Sequence, residues 1–223
     1  MTDQTTSPGI SRSLFLFSIL YGGMTCIAGV LGAKQVALGP LAVEAGIFPF
    51  LLLVVLSSTV SELHGRETAN RLVQFGFVPL LTAIALIWIV IQLPTDEGMY
   101  PPAVPAFPII LGQSGRLMLA GVVAYGVSQL LNVFIFSRLR GVAGRVLAVR
   151  AAIASAISQV VDTLIFITVA FVGVRPIAEL MAGQMIAKVV LSAVMVPPLI
   201  YVFVALGRRL DNTAPVAPDA SAR

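Results

Sequence analysis

The chain of 223 residues is 58% hydrophobic and only 11% charged, with a mean hydropathy of +0.98. Soluble domains carry about 25% charged residues and roughly 45–50% apolar residues, so this composition excludes a soluble globular protein. The net charge of +4 does not indicate nucleic-acid binding, because the basic residues are dispersed at the ends of apolar runs. The single cysteine, Cys26, excludes an internal disulfide.

Six apolar runs are long enough to cross a bilayer, which takes about 20 residues of helix. They cover approximately residues 14–31, 41–60, 72–93, 117–136, 146–172 and 177–206. The second run contains Glu44 and Pro49, so its start is the least well defined, and the sixth contains Pro197 and Pro198, which can kink a helix. None shows the period-two alternation of barrel strands. The sequence therefore predicts an all-α integral membrane protein, a bundle of six transmembrane helices.

The basic residues predict how these helices are oriented. With the N-terminus inside the cell, ten of the 14 basic residues fall in cytoplasmic segments: Arg12, Arg66, Arg71, Arg138, Arg140, Arg145, Arg150, Arg208, Arg209 and Arg223. Segments rich in Arg and Lys stay cytoplasmic, so both termini are expected there. The predicted organisation is a disordered cytoplasmic tail (1–12), a transmembrane domain (13–207) with an external proline-rich loop (94–115), and a second disordered cytoplasmic tail (208–223).

Two of the predicted helices carry the same polar pattern. Helix four contains SQLLNVFIF (128–136) and helix five contains SQVVDTLIF (158–166). Residues three apart share a helix face, so Gln129 lies beside Asn132 and Gln159 beside Asp162. An ionised Asp inside a bilayer costs about 2.5–3.5 kcal/mol, so these faces are expected to line the bundle interior and bind a substrate. Alternatively, the amides join helices four and five through interhelical hydrogen bonds of about 0.6 kcal/mol each.

Two more charged residues complete the candidate site. Glu62 lies just beyond the second apolar run and is a further substrate-binding candidate. Lys188 is the cation within the sixth run that can pair with Asp162, either structurally or on a proton path, and these three residues are the candidates for proton coupling. His64, the only histidine, has no Cys or His companion and is a poor metal ligand. No metal and no cofactor are expected, and the common hydrolase and nucleotide-binding motifs are absent.

Four motifs, in this order, resemble those of the queuosine precursor transporters of the vitamin uptake transporter group. They read ELHGRETANR (62–71), SQLLNVFIF (128–136), RAAIASAISQVVDTLIF (150–166) and KVVLSAVMVPPLIY (188–201). The match spans predicted helices two to six, and the fifth-helix motif is its specific part. Three positions depart from the family pattern: His64 replaces the usual Tyr, Ser58 an expected Asp, and Asn132 the more usual Asp.

The resemblance implies an importer of 7-deazaguanine compounds, such as 7-cyano-7-deazaguanine or its aminomethyl form, that serves salvage of the tRNA base queuosine. It implies a multi-pass protein of the cell's inner (cytoplasmic) membrane whose partners are this substrate and the lipid bilayer. Asp162 and Gln159 are expected to bind the guanine-like edge of the ring, and Gln129 and Asn132 its other side. The candidate stacking residues are Phe134, Phe136 and Phe166.

Other functions remain open at the level of sequence. The chain could be the substrate-binding subunit of an energy-coupling-factor transporter for another vitamin-like molecule, working with a partner ATPase module. Small residues spaced by four, Ala28 with Gly32 and Ala152 with Ala156, suit the docking of a partner helix or internal packing equally well. A polytopic membrane enzyme is less favoured, because such an enzyme is expected to cluster its acids with His, Lys or metal ligands.

Overall fold

The computed structural model of the protein describes residues 10–38, 41–113, 115–140, 146–173 and 178–212. Its elements in chain order are α1 (Arg12–Gly32), β1 (Gln35–Leu38), β2 (Leu41–Glu44), α2 (Ile47–Gln92), α3 (Ala103–Leu111), α4 (Gly115–Arg138), α5 (Leu147–Phe171) and α6 (Ala178–Asn212). Six helical segments in these residues are long and apolar enough to cross a membrane: α1, α4, α5, α6 and the two limbs of α2, Ile47–His64 and Arg66–Gln92. The predicted helical membrane bundle is confirmed.

Large apolar side chains are exposed on every spanning helix, where a bilayer accommodates them and water would not. Examples from successive helices are Ile19, Phe48, Phe75, Trp88, Leu119, Leu164 and Val194. In the first limb of α2, 67% of the residues are buried within the protein, whereas in the most apolar 18-residue stretch of the second limb only 6% are buried. The first limb is therefore the central helix, and the second limb lies at the periphery.

Gly65 separates the two limbs of α2. Its backbone has φ 87° and ψ 163°, a combination that side-chain-bearing residues almost never adopt. No other atom lies within 4 Å of the position that a Cβ would occupy, so the requirement for glycine comes from the backbone alone. The break at Gly65 lets one continuous segment supply two spans.

A short hairpin follows α1 and corrects the predicted start of the second span at residue 41. β1 and β2 pair antiparallel, with Val36 opposite Val43, and α2 begins only at Ile47. The hairpin ladder satisfies backbone groups of an apolar stretch that would otherwise need a helix. Between β2 and α2, a Cβ at Gly46 would lie 2.7 Å from the carbonyl oxygen of Ala28, so this turn packs directly on α1.

The ends of the bundle differ from the predicted boundaries in two places. The helix α6 continues through Pro197 and Pro198 to Asn212, past the predicted limit of 207, and Arg12 already belongs to α1. Asp211 is held there because it accepts hydrogen bonds from the backbone N–H (3.0 Å) and the hydroxyl (2.7 Å) of Ser13. The predicted loop 94–115 contains the nine-residue helix α3. The predictions made for residues 1–9 and 213–223, and for Arg145, concern positions outside the described residues.

The two ends of the bundle carry different structures. Besides its bonds to Asp211, Ser13 Oγ lies at a hydrogen-bond distance of 2.7 Å from His64 Nε2. The start of α1, the junction in α2 and the end of α6 therefore meet at one end of the bundle, here called the terminal side. The hairpin and α3 lie at the opposite end, the hairpin side. At mid-height, Tyr125 of α4 donates to the hydroxyl of Tyr21 at 3.1 Å or to the Val73 carbonyl at 3.2 Å, which ties α4 to α1 and α2.

Candidate functional site

A cavity of about 220 Å³ lies in the half of the bundle nearer the hairpin side. Its lining comes from the late part of α1, both limbs of α2, the start of α4, the late part of α5 and the start of α6. Gly46 and Gln113 line it near the hairpin and α3, and Gln159, Asp162 and Lys188 line it at depth. Pockets for drug-sized ligands occupy about 300–1,000 Å³, so this cavity suits a smaller molecule with one compact ring system.

The floor of the cavity holds an ion pair. Lys188 Nζ on α6 lies 3.2 Å from Asp162 Oδ2 on α5, and the Ser128 hydroxyl of α4 donates to Asp162 Oδ1 at 3.3 Å. Both charged residues are buried, with 6% of Asp162 and 7% of Lys188 exposed. The pairing considered from the sequence is therefore present, and it brings together three different helices at one carboxylate. Ser128, the first residue of the helix-four motif, was not among the candidates.

Gln159 lies one helical turn from Asp162 and is fully buried while lining the cavity. Within the described residues, neither its amide oxygen nor its amide nitrogen has a hydrogen-bond partner. Leaving a buried donor or acceptor unpaired costs about 1–3 kcal/mol each, so a structural role does not account for this side chain. A ligand in the cavity would supply the missing partners.

The two amides of α4 lie behind the cavity rather than in its lining. Asn132 Nδ2 donates to the hydroxyls of Ser57 (3.2 Å) and Ser58 (3.1 Å), and the Ser57 hydroxyl lies 3.4 Å from Gln129 Oε1. These bonds join α4 to the central limb of α2, not to α5. Two of the three positions that depart from the family pattern, Ser58 and Asn132, therefore form a hydrogen bond with each other, and both residues are uncharged.

Glu62 lies on the terminal side, so the structure does not bring it together with Asp162. Its carboxylate accepts from Arg140 at 2.9 Å and lies 3.1 Å from Arg150 Nη1. Arg150 is only 3% exposed, donates to the Phe136 carbonyl and stacks over the Phe136 ring at 4.3 Å. Glu62 therefore neutralises the buried charge of Arg150, at the end of the bundle away from the cavity.

Of the three aromatic residues predicted to stack on a ligand, one lines the cavity. Phe166 does so from α5, one turn from Asp162. Phe134 is 41% exposed and lies beside Arg66 and Arg138, and Phe136 is buried beneath Arg150. Sequence reasoning missed Tyr125 and Phe50, which also line the cavity. Tyr125 could have been found, because it precedes Ser128 by three residues on the same face of α4.

Glu44, at the end of β2, also lines the cavity. Its carboxylate accepts a 3.3 Å hydrogen bond from the Gln184 amide of α6. No pattern in the sequence singles out Glu44, which interrupts the second apolar run without a polar companion. The described residues hold no group of three or more His, Cys, Asp or Glu side chains that could bind a metal.

Comparison with known proteins is consistent with this arrangement. Residues 44–202 match the family described as "Putative vitamin uptake transporter". The chain is 28% identical over 158 residues to a protein of Bacillus subtilis (strain 168) named "Probable queuosine precursor transporter", covering 70% of this chain and 68% of that protein. No solved structure matches the chain. The resemblance inferred from the four motifs is confirmed, and both descriptions are of transporters rather than enzymes.

Proposed function

The chain belongs to the vitamin uptake transporter family, and we propose that it imports queuosine precursors, 7-deazaguanine compounds such as 7-cyano-7-deazaguanine, for queuosine salvage. It is a multi-pass membrane protein, and the proposed location is the inner membrane of the cell. The name of the Bacillus subtilis relative supports the substrate class.

The observation that carries the proposal is the unpartnered amide of Gln159 one turn from the carboxylate of Asp162, both lining the cavity from α5. A deazaguanine ring presents adjacent N–H donors on N1 and the exocyclic amine, with a carbonyl acceptor beside them. Asp162 supplies carboxylate oxygens and Gln159 supplies one acceptor and two donors, so together they complement that edge. A buried site built on hydrogen bonds rejects analogues that lack the bonding groups far better than an apolar pocket does.

The remaining candidates take separate roles in this proposal. Phe166 and Tyr125 line the cavity and are available to stack on the ring. Gln129 and Asn132 hold α4 against α2 and so fix the wall that carries Ser128. Glu62 acts at the terminal side, outside the substrate site.

The shape of the cavity favours uptake from outside the cell. The proposed orientation puts both termini in the cytoplasm, as the distribution of basic residues favours, and the hairpin side is then external. On α5 the cavity lining stops at Gln159, and Ala151 and Ala154 nearer the terminal side are fully buried in the core with Phe136. In the proposed orientation the cavity lies in the outer half of the bundle and these buried residues separate it from the cytoplasmic end, as the substrate-accepting state of an importer requires.

Restoration of queuosine tests the function directly. The gene would be expressed in a strain that can neither make nor import the precursor, and queuosine in its tRNA would be measured after feeding 7-cyano-7-deazaguanine or the aminomethyl form. Queuosine should reappear with the wild-type protein and not with the Asp162→Asn variant at equal membrane level. Absence of queuosine with both compounds would refute the proposal.

The energy source distinguishes a solitary carrier from a subunit of an energy-coupling-factor transporter. Of the small-residue pairs that could dock a partner, Ala28 and Gly32 already pack internally against Gly46. We therefore propose a solitary carrier, in which Asp162 and Lys188 are the groups available for proton coupling. Uptake into proteoliposomes that contain this protein alone should proceed, and a strict requirement for an added ATPase module would favour the subunit.

A further inference from the structure

The charged side chains that line the cavity do not cancel. In the described part of the chain they are Glu44, Asp162 and Lys188, which sum to one net negative charge. Lys188 is already paired with Asp162 at 3.2 Å. Glu44 has no cationic partner within ion-pair distance among the described residues, and its one hydrogen bond comes from the neutral amide of Gln184. The uncompensated charge therefore belongs to Glu44.

The two carboxylates are held at different levels of the same cavity. Gln184, which contacts Glu44, and Lys188, which contacts Asp162, are four residues apart and share one face of α6. Four residues of helix span about 6 Å along the axis, so Glu44 lies roughly one turn closer to the hairpin side than Asp162. A molecule whose donor edge lies against Asp162 and Gln159 would extend its opposite end toward Glu44.

The surroundings strengthen the attraction of Glu44 for a cation. Most of the cavity wall is apolar, with Leu53, Ile84, Ile87 and Phe166 among its lining residues. Low-dielectric walls focus the field of a charge in a cleft, and a charge-assisted hydrogen bond there is about twice as strong as a neutral one. An unpaired carboxylate in such a cleft discriminates between a cationic and a neutral group on otherwise identical ligands.

We infer that Glu44 binds a positively charged substituent and makes the protein prefer the aminomethyl form of 7-deazaguanine over the 7-cyano form. A primary amine carries a proton at neutral pH, as the lysine side chain does, whereas a nitrile is neutral. The inference rests on the proposed function, since it places the ring edge at Asp162 and Gln159. It makes Glu44 a specificity-determining residue of that site.

The test compares uptake of both compounds into proteoliposomes that contain the full-length protein. The measured quantity is the ratio of their half-saturation concentrations, for the wild type and for Glu44→Gln. The wild type should favour the aminomethyl form, and Glu44→Gln should shift the ratio toward the nitrile by roughly tenfold, the effect of losing one charge-assisted bond. Glu97→Gln is the matched control, because Glu97 is an exposed carboxylate in the segment between α2 and α3 and should leave the ratio unchanged.

Each other outcome has a distinct meaning. A wild type that carries both compounds without preferring the amine, or a ratio that Glu44→Gln does not shift, overturns the role of Glu44 and leaves the proposed function standing. A wild type that carries neither compound, with or without an added ATPase module, overturns the proposed function, and the inference with it. If Glu44→Gln does not transport, the Glu44→Asp variant tests the inference instead, because it keeps the negative charge. Glu44→Asp should keep the preference for the amine, and loss of that preference would contradict the inference.

Discussion

Asp162 and Lys188 neutralise each other on the floor of the cavity, where 3.2 Å separates Oδ2 from Nζ and less than a tenth of either residue is exposed. Removing one partner of such a pair leaves an uncompensated buried charge, which costs more than replacing both partners together. The pair can therefore be tested separately for its contribution to stability and to transport.

We expect Lys188→Met to lower the free energy of unfolding by roughly 3 kcal/mol, because Asp162 then remains as a lone buried carboxylate. The double variant Asp162→Asn with Lys188→Met should regain most of that stability, since no buried charge is left. Lys188→Met should not transport, because it lacks one of the two groups proposed for proton coupling. The double variant should not transport either, because it lacks the Asp162 carboxylate as well. Thermal unfolding in detergent and uptake in proteoliposomes measure the two effects, and transport by the double variant would contradict the role of Asp162.

Gln159 and Asn132 offer a matched comparison of a ligand-binding amide with a structural one. Gln159→Leu removes two buried groups that have no partner among the described residues, so stability should stay constant or rise by about 1 kcal/mol while substrate binding is lost. Asn132→Leu breaks bonds to Ser57 and Ser58 and should destabilise the protein by about 1–3 kcal/mol. Thermal unfolding with and without substrate measures both. A strong loss of stability in Gln159→Leu would show that its amide is structural.

Glu62 should matter mainly for the stability of the terminal side. Glu62→Gln leaves Arg150, which is 3% exposed, without its carboxylate and should cost roughly 3 kcal/mol. Arg140→Gln is the control: it removes the other partner of Glu62, but that side chain is 55% exposed, so its loss should cost less than about 1 kcal/mol. Thermal unfolding of the two variants should differ clearly. Equal effects would mean that the Arg150 contact contributes little.

Gly65 is expected to tolerate no side chain. Gly65→Ala forces an alanine into φ 87°, which should cost about 1–3 kcal/mol although no neighbouring atom obstructs the methyl group. Gly23→Ala is the control, because Gly23 lies within α1 with equally open space and should gain slightly from the better helix propensity of alanine. Unfolding temperatures in detergent distinguish the two. A neutral Gly65→Ala would mean that the junction relaxes into another conformation.

The membrane spans could be predicted because crossing a bilayer as a helix requires a run of about 20 apolar residues, and such runs are visible in the sequence. The shared face of Gln159 and Asp162 also followed from a local rule, the spacing of residues along a helix. The hairpin could not be predicted, because its four-residue strand LAVE is as apolar as the helix that follows it.

Tertiary contacts decided the rest of the site. The spacing of residues shows which of them share a helix face, but it does not show which helix packs against that face. The repeated motif therefore did not reveal that Gln129 and Asn132 pack against α2 while Gln159 lines the cavity. The partners of Glu62 come from residues 78 and 88 positions later in the chain, beyond any local signal. Glu44 was overlooked for the same reason, since its position in the cavity depends on the hairpin.

The helix α5 carries a charged partner at each end of the barrier that closes the cavity. Arg150 faces Glu62 on the terminal side, and Asp162, twelve residues later, faces Lys188 in the cavity. Twelve residues of helix form a rod of about 18 Å. A rigid tilt of that rod changes both separations at once. The two ion pairs are therefore linked through a single helix, and a change of one separation is expected to accompany a change of the other.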